Sequence, residues 1–176
     1  MKRLLLGVAM VLTACTPSAA GSPSPSASPT PVLPELTDQE IFAVDVPGYS
    51  YVELPRRLQR QAAKRFRNSS GLQEEAEFSI RSFVHGQTQF AAVVVVALEP
   101  ELAVLPGTEQ GFVVGLEQSA GVTSEVVPLG RIDGHVVEGE EQTVVAWKDE
   151  NLFVSVVAED RASGVTAARA IAQAVY

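Results

Sequence analysis

Apolar positions along this chain recur at two spacings, and clusters of Gly, Pro and charge separate the segments in which each spacing holds. Residues 49–54 form a short strand, and Pro55 follows at the first position of a helix, where its missing N–H costs nothing. From there to Arg67 the apolar residues Leu58, Ala62 and Phe66 fall at a four-residue spacing, which predicts a helix closed before Gly71. Two strands follow, over 75–84 and 89–98, joined through His85-Gly86-Gln87-Thr88. The second contains Ala91 to Leu98, an unbroken apolar run rich in valine, as expected of a central strand covered on both faces or nearly so. Glu99-Pro100-Glu101 ends it. Pro106-Gly107-Thr108 then opens a second helix to about Ser119, with Phe112, Val113 and Leu116 on one face.

The last third reads as a meander, with strands near 123–129, 135–138, 142–147 and 152–158. Asp133-Gly134 is a hairpin signal of the type I′ class, and Lys148-Asp149-Glu150-Asn151 is a polar loop between two apolar strands. A final helix starts near Asp160 or Ser163 and runs to Val175 on a stripe of Val165, Ala168, Ile171, Ala172 and Val175. Helices interleaved with adjacent hairpins predict an α+β fold, an antiparallel β-sheet with about three helices packed mainly on one face. The order strand, acidic loop, helix occurs twice, over 90–118 and 152–173, without enough shared residues to indicate duplication.

The chain divides at a composition shift. Residues 16–34 are almost entirely Ser, Pro, Ala, Gly and Thr, with nothing to form a packed core, so they read as a disordered linker with polyproline II character. Such a tract reaches about 25 Å as a flexible coil and about 60 Å fully extended. Residues 35–176 then form a single domain, long enough to bury about two thirds of its unfolded surface.

Ahead of the linker, Met1-Lys2-Arg3 is basic, Leu4 to Leu12 is a short apolar stretch, and Thr13-Ala14 precede the sole cysteine, Cys15. A membrane span would need about 20 apolar residues. The order of basic start, short apolar core, small residues and cysteine resembles the signal of bacterial lipoprotein precursors. The resemblance covers these residues alone. It implies that residues 1–14 are a signal peptide, that Cys15 becomes the mature N-terminus carrying a diacylglyceryl anchor with acyl chains such as palmitate, and that residues 15–34 tether the domain to the extracytoplasmic side of the cell membrane. Lipidation would also account for a lone thiol in an exported protein.

Charge narrows the partners. The chain carries a net −8, and loss of Lys2 and Arg3 would leave 11 basic residues against 21 acidic. A domain this acidic is repelled by phosphate backbones, which argues against nucleic acid. Yet six of those basic residues, Arg56, Arg57, Arg60, Lys64, Arg65 and Arg67, fall in one predicted helix. Arg56, Arg60 and Lys64 share an edge at i, i+4 spacing. They are the candidate contact for an anionic partner: lipid headgroups, a polyanionic envelope polymer or an acidic protein. The more ordinary reading is a solvated helix whose arginines pair with Glu74, Glu75 and Glu77.

Other signals are weaker. Gly111 and Gly115 each cost the second helix about 1 kcal/mol relative to alanine, which points to close packing on the valine strand or to a groove left open for a ligand. His85 and His135 lack the spacing of a metal pair, and there is no Gly-x-Ser-x-Gly elbow. Glu99/Glu101 and Glu138/Glu140/Glu141 lack the spaced order of a calcium loop. Trp147 reads as packing rather than a sugar platform, and Asn68-Ser69-Ser70 matches a glycosylation pattern without a bacterial use. No cofactor, metal or catalytic residue is expected. The function expected is a lipid-anchored envelope protein with a non-enzymatic binding domain. The alternative is a carrier of a lipophilic small molecule, recognisable by a void lined by Val93, Val95, Phe112 and Leu116, and an envelope hydrolase is the least supported.

Overall fold

The computed structural model describes residues 37–62 and 76–176. Helix α1 (Asp38–Ala43) opens on Thr37, whose side chain accepts from the Glu40 N–H while the Glu40 carboxylate accepts from the Thr37 N–H. This reciprocal cap lets so short a helix form. Strand β1 (Tyr49–Glu53) leads into α2, helical over 56–62. Strands β2 (Ala76–His85) and β3 (Thr88–Leu98) form a hairpin with a bulge at Phe83/Val84. The short α3 (Pro100–Ala103) and α4 (Thr108–Ala120) follow. Then come β4 (Glu125–Pro128), β5 (Asp133–Glu138), β6 (Thr143–Asp149), β7 (Leu152–Ala158) and α5 (Arg161–Val175).

The seven strands make one sheet in the order β1-β2-β3-β7-β6-β5-β4, and every neighbouring pair is antiparallel. The α+β class and the antiparallel sheet are as predicted. The helices, however, do not lie mainly on one face. On the first face Val93, Val95, Val154 and Trp147 pack under Ile41 of α1 and Ile171 of α5. On the second, Ala92, Val94, Val96 and Phe153 pack under Ala103 of α3 and Phe112 and Leu116 of α4. The reason lies in the valine run itself: residues 91–96 and 152–158 are buried at every position, so alternate side chains need cover on opposite sides. The two strand-loop-helix units therefore end in helices on opposite faces, and a two-fold axis through the β3/β7 pair, perpendicular to the sheet, does not relate them.

Two turns also differ from expectation. Asp133-Gly134 is not the β4–β5 turn but the start of β5, because Pro128 pairs with Asp133 and Val127 with Gly134. The reversal is made one step earlier, where the Leu129 N–H donates to the Ile132 carbonyl at 2.9 Å. Between β6 and β7 the ladder runs on to Asp149↔Leu152, which shortens the turn to Glu150-Asn151. Glu150 takes the left-handed conformation there, with φ 47°. Among the described residues no helix is long and apolar enough to cross a membrane.

Candidate functional site

The edge made by β1 and α2 gathers most of what could recognise a partner. The chain turns from strand to helix at Pro55, whose carbonyl accepts from the Leu58 N–H at 2.7 Å and the Gln59 N–H at 3.2 Å. The Gln59 side chain reaches back to the Leu54 carbonyl at 2.8 Å and clamps the corner. With Gln59 and Ala62 turned inward and half-buried, Arg56, Arg57 and Arg60 are all exposed. At about 100° per residue these three fall within about 100° of the helix surface, a cationic sector beside the apolar one. Leu58, the first residue of the apolar spacing that predicts this helix, is 47% exposed, as is Val52 on the adjoining edge strand.

Of the three predicted cationic contacts, Arg56 and Arg60 are in place, whereas Lys64 lies outside the described residues, as do Arg65 and Arg67. Glu74 and Glu75, proposed as their ion-pair partners, also lie outside. Glu77 is exposed and makes no ion pair with the α2 arginines. Glu53, the carboxylate nearest to them in sequence, is taken by Arg81 at 3.4 Å. Among the described residues Arg56, Arg57 and Arg60 have no carboxylate partner. Cys15 and residues 1–36 lie outside the described part of the chain, and Asn68 does as well.

An aromatic corner that the sequence reading missed supports this edge from the first face. Tyr49 stacks on Phe83 with centroids 4.6 Å apart, and Tyr51 meets Phe83 at 5.2 Å and Phe42 of α1 at 5.4 Å. The Arg81 guanidinium sits over the Phe42 ring at 5.1 Å. Burial pushes the Tyr51 phenol well above its ordinary range, and its hydroxyl has no hydrogen-bond partner among the described residues. The signal was the alternation Tyr49-Ser50-Tyr51, which puts both rings on one side of the strand.

The other candidates do not assemble. Val93 and Val95 belong to the first face and Phe112 and Leu116 to the second, so the four cannot line one void. Phe112 instead stacks on Phe153 at 4.2 Å, and Gly115 is buried in the same helix. His85 is exposed and lies against Tyr49 at 5.0 Å. His135 and Ser155 share the second face but sit two strands apart across Ala146, about 10 Å, too far for a hydrogen bond. Ser155 is also 3% exposed, which hides its hydroxyl from any substrate. Glu117, near His135, is held below the usual carboxylate range because its side chain accepts from the Ser124 hydroxyl and N–H. Among the described residues no three His, Cys, Asp or Glu side chains could hold a metal ion. Glu138 is engaged by Arg161 at 2.5 Å. Trp147 is buried in the core, and its indole nitrogen sits near the Tyr176 hydroxyl. Burial, then the facing Asp149 carboxylate, pushes that hydroxyl well above its ordinary range.

Compared with protein-family models, curated proteins and solved structures, the chain matches none of them.

Proposed function

We propose that this chain is a lipid-anchored protein of the cell envelope whose folded domain faces the extracytoplasmic side, performs no chemistry and binds an anionic partner through α2. The observation that carries the reading is the set of exposed arginines Arg56, Arg57 and Arg60, unpaired among the described residues of a chain with net charge −8. Three neighbouring like charges repel one another, and an acidic chain has carboxylates to spare for neutralising them. Leaving them free is what a surface kept for an external polyanion requires. The sequence at Cys15 supplies the membrane side of the proposal, and the tether lets the domain search within tens of ångströms of the bilayer.

The test replaces Arg56, Arg60 and Lys64 together with glutamine. Retention on an anionic wall polymer or on phosphatidylglycerol vesicles should fall at low salt while the melting temperature stays within a degree or two. Wild-type retention should itself fall steeply with salt, because exposed contacts are screened over a Debye length of about 8 Å at physiological ionic strength. Unchanged retention of the triple variant would leave α2 as a solvated face.

A further inference from the structure

From Leu102 to Thr108 the chain carries no charge, and its middle stands in water: Val104 is 78% exposed and Leu105 54%. This knob is not a floppy loop. The Val104 N–H donates to the Pro100 carbonyl at 3.3 Å and the Leu105 N–H to the Leu102 carbonyl at 3.2 Å. The Thr108 hydroxyl closes the segment on the Leu102 and Leu105 carbonyls at 3.0 and 2.9 Å. Pro106 fixes its own φ, and Gly107 supplies a left-handed φ of 87°. Single exposed aliphatic residues are ordinary. A rigid adjacent pair this exposed is surface prepared for contact.

The rim of the knob is acidic. Glu99, Glu101 and Glu109 are exposed around it, and none forms an ion pair among the described residues. The α2 surface is its complement in charge: Arg56, Arg57 and Arg60 are exposed within one sector, and Leu58, also exposed, lies about 100° further round the helix from Arg57. Strands β1 and β3 are each antiparallel to β2, so the chain leaves both in the same direction. Leu54 and Ala62 on one side, and Leu102 and Ala103 on the other, then join the same second-face core. Yet within one chain the arginines of α2 and the three carboxylates do not pair.

We infer that the partner α2 meets is a second copy of this chain, the Val104–Leu105 knob of each copy seated on the α2 face of the other. Because each copy carries both surfaces, a two-fold axis relating the copies makes the contact reciprocal and closed rather than open-ended. The contact sets an aliphatic knob flanked by carboxylates against a cationic helix face with an exposed leucine to one side of it, apolar and charge-paired area together as in a specific interface. A bilayer fits the knob less well, since its carboxylates would face anionic headgroups. The inference rests on reading α2 as a recognition face, with another copy's carboxylates as the anion.

Sedimentation velocity of the whole chain carrying Cys15→Ala, held in a mild non-ionic detergent, tests it. A monomer–dimer equilibrium that weakens with salt is expected. Leu105→Glu should weaken it by roughly tenfold or more, and so should Arg56→Glu/Arg57→Glu/Arg60→Glu. Adding Glu99→Lys/Glu101→Lys/Glu109→Lys to the latter should restore the dimer, a rescue that a misfolded variant would not show. A monomer up to about 100 µM, or a dimer indifferent to these changes, overturns the inference. Retention on the wall polymer separates the two claims: a monomeric wild type whose retention still depends on the arginines refutes the dimer and keeps the polyanion reading. A monomeric wild type that needs Leu105 to co-sediment with zwitterionic vesicles makes the knob a lipid contact, and the inference falls.

Discussion

Leu129 occupies the space that a side chain at Gly134 would need: a methyl group on Gly134 would lie 2.6 Å from Leu129 Cδ1. Leu129 is fully buried in the β4–β5 turn and belongs to the first-face core, so it has little room to withdraw. The turn thus plugs the sheet with its own first residue, and a bare backbone position opposite is the condition for doing so.

Gly134→Ala should therefore overpack this corner and destabilise the protein by about 1–3 kcal/mol. Urea denaturation checks it: the midpoint should fall with the slope unchanged. An unchanged midpoint would mean that Leu129 swings aside at no cost. The companion Leu129→Ala/Gly134→Ala should be less than additive, because the two positions share one volume.

Glu150 holds φ 47° in the two-residue turn between β6 and β7, where an L side chain is crowded by its own backbone. That conformation costs a non-glycine residue about 1–2 kcal/mol, and glycine gives back about 0.5–1 in chain entropy. Glu150→Gly should be stabilising by about 0.5–1 kcal/mol, seen as a rise of roughly 1–4 °C in melting temperature. A lowered melting temperature would show that the Glu150 side chain makes a contact outweighing the strain.

How much of this was readable in the sequence depends on where each cause lies. The valine run of β3 and the stripe of α5 announced themselves because their partners are the sheet as a whole, whatever its topology. The same run held the correction about the helices, since residues buried at both parities require both faces covered. The capping box at Thr37 and Glu40 is a local signal, but α1 is too short to show a periodicity and was not predicted. Gly134 was misread because its reason is tertiary: a turn signal and a position cleared for Leu129 look alike along the chain. At the candidate site, spacing alone placed Arg56 and Arg60 on one edge. That Glu53 is spoken for by Arg81 depends on the β1–β2 register, which no local pattern encodes.

The anchor is tested at the thiol. Cys15→Ala should abolish incorporation of a fatty-acid analogue and leave the precursor uncut or shed from the membrane. Two acyl chains give stable anchoring because each buried methylene contributes about 0.8 kcal/mol, whereas a single chain binds marginally. Equal labelling of wild type and variant would end the lipoprotein reading and detach the proposed function from the membrane.

Asp160 gives a pH dependence with a defined sign. It caps α5, accepting from the Ser163 N–H at 2.9 Å and the Ser163 hydroxyl at 2.8 Å, and these bonds, the backbone one foremost, hold its carboxyl below the ordinary value of 3.8. A group whose folded pKa is depressed contributes stability that is fully present above the unfolded value and is lost as pH falls through the folded one. Glu117, lowered by Ser124, loses its contribution in the same direction, so the acid limb of the wild type sums at least two carboxylates. Asp160→Asn isolates one of them: the amide oxygen still caps the helix, but it neither titrates nor adds a negative charge at the positive end of the helix dipole. Wild type should melt above the variant at pH 6, and the gap should close as pH is taken from about 4 toward 2. Melting curves of the pair across that range decide it. A gap constant with pH would mean that Asp160 serves as a neutral hydrogen-bond acceptor and that its charge contributes nothing to the fold.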